Sequence, residues 1–149
     1  MRAPSHIAVR LALVCALLLT LAGCTLSAAE RHPAAKAVDG LLRVRMKRAT
    51  DPTRYAPYLS SSEAATALAE DASVTASSGR PSLPGWERPY VSDVTSSGAD
   101  VVVVWKRSEQ LPEWPSTANV FRTEQVDGRW VVVDAQSIEA SAVPDPWKP

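Results

Sequence analysis

Hydrophobic positions along the chain follow three different rules. Residues 11–22 (LALVCALLLTLA) run without a charge. From Ala35 the apolar residues recur as Ala35, Val38, Leu41, Leu42, Met46 and Ala49, the i, i+3, i+4 spacing that turns one side of an α-helix toward a core. Gly40 weakens this helix without breaking it. Asp51-Pro52 ends it, because a residue before proline is pushed out of the helical region. Ser60, with Glu63 three residues on, makes a capping-box pattern ahead of the Ala-rich stretch 64–72 and predicts a second helix. Residues 73–89 (SVTASSGRPSLPGWERP) are rich in Ser, Pro and Gly and read as a loop.

The third rule is β-rich. Residues 90–95 and 101–107 flank Ser96-Ser97-Gly98-Ala99-Asp100 and form one expected hairpin; residues 118–126 and 129–138 flank Asp127-Gly128 and form another. An Asp-Gly pair between β-rich runs signals a two-residue type I′ turn, which needs positive φ at both positions. That turn sets Val126 opposite Arg129, Gln125 opposite Trp130, Thr123 opposite Val132 and Phe121 opposite Asp134. One face then collects Phe121, Trp130 and Val132, and the other Val120, Val126, Val131 and Val133. Both faces carry apolar side chains, so cover on both sides of the sheet is expected, at least in part.

The uncharged run 11–22 changes the picture of the N-terminus. Arg2 and Arg10 precede it with no acidic residue, and it closes on Gly23-Cys24, the order of a secretory signal. At about a dozen apolar residues it is shorter than the ~20 a spanning helix needs. Leu21-Ala22-Gly23-Cys24, placed where the run ends, resembles the lipobox of bacterial lipoproteins. The resemblance implies cleavage between Gly23 and Cys24, a diacylglyceryl group on the Cys24 thiol, and palmitate-class chains holding the product on the extracytoplasmic face of a cell membrane. Two acyl chains anchor stably where one holds only marginally. Thr25 is not the aspartate that, in diderm lipoproteins, retains the product at the inner membrane. Of the two cysteines, Cys15 falls in the removed leader and Cys24 carries lipid, so no disulfide is expected.

The 149 residues then divide into a signal peptide (1–23), a flexible tether (24–34), one α+β domain (35–140) and a Pro-rich tail (141–149). Two helices followed by an antiparallel sheet of about four strands, ending on the hairpin 126–134 (VDGRWVVVD), resemble the NTF2-like cone fold. That resemblance implies helices packed on a curved sheet. Some of its members are isomerases or dehydratases with an Asp and a Tyr inside the cone. Tyr55, Tyr58, Asp93 and Asp134 have those residue types; the plainer reading packs the tyrosine rings on the sheet and leaves Asp134 at a strand edge.

Little else points to chemistry. The one histidine beyond the leader, His32, lies in the expected tether, where nothing rigid would position it. No Cys/His metal spacing, Gly-rich phosphate loop or nucleophile elbow is present, and no cofactor is expected. Residues 24–54 hold 7 basic against 3 acidic side chains and residues 55–149 hold 7 against 13, a balance that disfavours nucleic acid. Arg43, Arg45, Lys47 and Arg48 lie on the first helix, either touching anionic headgroups or forming a solvated helix face. Trp105 and Trp130 fall in strands and are expected in the core. Trp86, Trp114 and Trp147 sit in Pro-rich segments, as partner anchors or as caps on a small core. The expectation is a membrane-anchored, non-enzymatic binding or accessory domain with an envelope protein partner. Its alternative is a small-molecule or isomerase/lyase-type cone pocket, which an apolar cavity holding Asp and Tyr together would favour over a filled core.

Overall fold

In the computed structural model the described residues are 28–112 and 118–143. The expected signal peptide, Cys24, Trp114, Trp147 and the tail beyond Val143 lie outside them. Among the described residues, no helix is long and apolar enough to cross a membrane.

Helix reaches further toward the N-terminus than the apolar periodicity suggests. A single turn, α1 (Ala28–Arg31), leads through His32 into α2 (Pro33–Met46). Residues 28–34 are therefore not a flexible tether. The reason is local: Pro33 brings a helical φ and no N–H to satisfy, and His32 Nδ1 accepts the Ala34 N–H at 3.2 Å as an imidazole N-cap. His32 also meets Trp130 edge to face, ring centroids 5.0 Å apart. α2 buries Ala34, Ala35, Val38, Leu41, Leu42 and Val44. It ends where Arg48 takes a left-handed φ of 51°, a conformation uncommon outside glycine.

Two 3₁₀ turns, Pro52–Arg54 and Ala56–Tyr58, connect α2 to α3 (Ser62–Thr75). Asp51 accepts the Thr53 N–H at 2.9 Å and starts the first turn. The cap of α3 is Ser61, whose Oγ accepts the Ala64 N–H at 3.1 Å, one residue beyond the expected Ser60. α3 buries only Ala65, Ala69 and Ala72, and packs on the Pro52–Arg54 turn. Gly40 has a packing role: a Cβ there would fall 2.7 Å from Tyr58 Cζ and closer still to its Cε1.

Four strands, β1 (Tyr90–Val94), β2 (Gly98–Val104), β3 (Ala118–Val126) and β4 (Arg129–Ile138), form an antiparallel sheet in the order β1-β2-β3-β4. The fold is α+β with an open sheet: β1 and β4 are its two edges, and Leu59 bridges the β4 edge at Val132. Asp127 and Gly128 have φ of 50° and 75°, as the type I′ turn requires. The pairing follows the expected register from Val126–Arg129 to Thr123–Val132, then slips at a bulge. Arg122 faces Asp134 and Phe121 faces Ala135, so Phe121 does not oppose Asp134. One extra residue on β4 accounts for the slip.

Both sheet faces are covered in part. Toward α2, Val38, Leu42 and Tyr55 fill the space over Val101, Val103, Phe121 and Val132. On the other face a smaller cluster joins Tyr90, Val102, Ala118 and Val143. Burying each Val, Leu or Phe side chain contributes about 1.5–3 kcal/mol, so the α2 side carries most of the stabilisation.

Candidate functional site

A groove of about 660 Å³ opens between α2 and the segment just before β1. The α2 wall presents Lys36, Asp39 and Arg43, spaced three and four residues apart and so on one helix face. The opposite wall presents Trp86 and Arg88, with Lys106 beside them. What fixes the second wall is a short extension of the β1–β2 hairpin. Trp86 bridges Trp105, the Glu87 N–H donates to the Val104 carbonyl, and the Lys106 N–H donates to the Gly85 carbonyl, each at 2.8 Å. Trp86 and Trp105 stack edge to face, ring centroids 6.4 Å apart.

Asp39 latches the two walls together. Its Oδ1 accepts the Trp86 indole N–H at 3.0 Å and its Oδ2 accepts Arg43 Nε–H at 2.6 Å. The hydrogen bond and charge of Asp39 hold Arg43 still more firmly in its charged form. Glu87 and Lys106 form a second pair at 3.4 Å. The groove can therefore receive an anionic group beside an aromatic ring, with Arg43 and Lys106 positioned by their carboxylate neighbours and Lys36 and Arg88 exposed on its walls. No protein family, curated protein or solved structure matches this chain.

The basic residues expected to act together are distributed differently. Arg43 lines the groove, but Arg45 lies 3.9 Å from Asp71 on α3, and Arg48 donates to the Ala76 carbonyl at the end of α3, at 3.1 Å. Lys47 caps the C-terminal end of α2. Two of the four thus tie helix to helix.

The tyrosines and carboxylates are not brought together. Tyr55 is fully buried on the α2 side, where desolvation raises its phenol above the usual value; Arg45 opposes the shift and Asp71 adds to it. Tyr58 lies against Gly40. Asp93 and Asp134 belong to opposite edge strands and to the other sheet face, in the cross-strand row Asp93–Asp100–Arg122–Asp134. His32, expected without a rigid setting, is fixed by its cap and by Trp130. Trp105 is buried as expected and donates to Asn119, whereas Trp130 is only half-buried. Among the described residues, no cluster of three His, Cys, Asp or Glu is arranged to hold a metal.

The sequence reading missed the Asp39–Trp86 latch. Its one available signal was a tryptophan in a Pro/Gly segment, and composition did not say which helix residue would meet it.

Proposed function

We propose that this chain is an exported lipoprotein. Its Cys24 carries the diacylglyceryl anchor, and its α+β domain is a non-enzymatic binding or accessory module on the extracytoplasmic face of the cell membrane, working with an envelope partner. The observation that carries the reading is Leu21-Ala22-Gly23-Cys24 at the close of a charge-free run. The filled space between α2 and the sheet supports a binding rather than a catalytic module. So does the separation of Tyr55 from Asp93 and Asp134 on opposite sheet faces. The helices-then-sheet order and the closing hairpin support kinship with NTF2-like domains, with the sheet here open rather than closed into a cone.

Intact-mass analysis of protein from the native membrane tests the anchor. The expected product begins at Cys24 and carries the mass of a diacylglyceryl group, and Cys24→Ser releases the protein from the membrane fraction or stalls its processing. A chain that retains Met1, or an unmodified thiol at Cys24, removes the proposal.

A further inference from the structure

The distance along the chain from Cys24 to the groove is short. Three residues lie between Cys24 and Ala28, where α1 begins, at most about 14 Å of chain whatever its path. Glu30, in that same turn, forms part of the groove wall. Around it Lys36, Arg43, Arg88 and Lys106 outnumber Glu30, Asp39 and Glu87. Asp39 spends both oxygens on Trp86 and Arg43, while the Arg43 side chain stays 67% exposed and that of Lys106 54%. A groove lined by these cations and an indole, close along the chain to Cys24, suits the charge of a headgroup layer, where tryptophan is favoured.

We propose that the groove seats an anionic phospholipid headgroup of the anchoring membrane, with the N-terminal end of α2 directed toward the lipid. This rests on acylation of Cys24. It reassigns the membrane contact from the Arg43–Arg48 run to Lys36, Arg43, Arg88 and Lys106. Of that run only Arg43 lines the groove, whereas Arg45 and Arg48 are turned toward Asp71 and the Ala76 carbonyl of the α3 region.

Hydrogen–deuterium exchange of the acylated protein in vesicles tests the proposal. The vesicles are phosphatidylcholine alone, phosphatidylcholine mixed with phosphatidylglycerol, and phosphatidylcholine with added inorganic phosphate. Amides of residues 85–89 and of the first turns of α2 should exchange several-fold more slowly on the phosphatidylglycerol vesicles, and high salt should reverse the effect. The double variant Lys36→Gln/Arg88→Gln should abolish it with the β3–β4 hairpin still protected. If that variant unfolds, Arg88→Gln alone should weaken it. Equal exchange on the two vesicle types overturns the inference while leaving the anchor intact. Protection by inorganic phosphate on neutral vesicles overturns the lipid source. An unmodified Cys24 in the mass spectrum overturns anchor and inference together.

Discussion

Replacing Asp39 by Ala removes two contacts of unequal worth. The Trp86 indole, half-buried, loses a charged acceptor at 3.0 Å, and a hydrogen bond to a charged group contributes about 1.5–3 kcal/mol. The Arg43 contact is an i, i+4 pair whose arginine is 67% exposed, and exposed helix pairs of this kind contribute about 0.3–0.5 kcal/mol. The indole bond therefore decides the outcome. Asp39→Ala should destabilise the fold by about 2 kcal/mol, whereas Asp39→Asn, which keeps an acceptor at Oδ1, should lose less than about 1 kcal/mol. Urea denaturation followed by circular dichroism measures both, and a cycle with Trp86→Phe isolates the indole term. Asp39→Asn proving as damaging as Asp39→Ala would refute this ranking, as would a coupling of Asp39 to Arg43 that exceeds its coupling to Trp86.

Gly40→Ala should destabilise by about 1–3 kcal/mol, because its Cβ runs into the Tyr58 ring; in a Tyr58→Ala background the penalty should largely vanish, and a penalty unchanged there would place the clash elsewhere. His32→Ala removes the α2 cap and an edge-to-face contact with Trp130, a loss of about 1–2 kcal/mol; His32→Asn, which keeps a capping oxygen, should fall between it and the parent in a urea series. Asp51 is held below its usual 3.8 by the hydrogen bonds from Thr53. Its folded pKa is lowered, so its contribution is present above the unfolded value and disappears as pH falls through the folded one. Thermal melts should show Asp51→Ala less stable than the parent at neutral pH and the gap closing in acid; a gap that widens in acid contradicts the sign.

How much of this was legible depends on how local the cause is. The Asp127-Gly128 turn was readable because two adjacent residues determine it, and the hairpin register followed for as long as no residue was inserted. The bulge after Thr123–Val132 is invisible to periodicity, since it falls at the end of the unbroken apolar run Trp130–Val133, which offers no alternation to fix a register. Gly98 was assigned to a turn, but a Cβ there would run onto the Thr123 carbonyl oxygen, so the glycine permits close approach of β2 and β3. The start of α2 was placed two residues late because its cap is an imidazole rather than a Ser, Thr, Asp or Asn oxygen.

The groove was hidden for a different reason. Asp39 and Trp86 stand 47 positions apart, and the second wall comes from a stretch whose Ser, Pro and Gly content suggested only a loop. That stretch nevertheless buries Leu83, Pro84 and Pro89. The two prolines bracket Gly85–Arg88, the short extension that pairs with the end of β2. Having no N–H, proline reads as a breaker of strands, yet the prolines that made the segment look unstructured flank the pairing beside which Trp86 donates to Asp39.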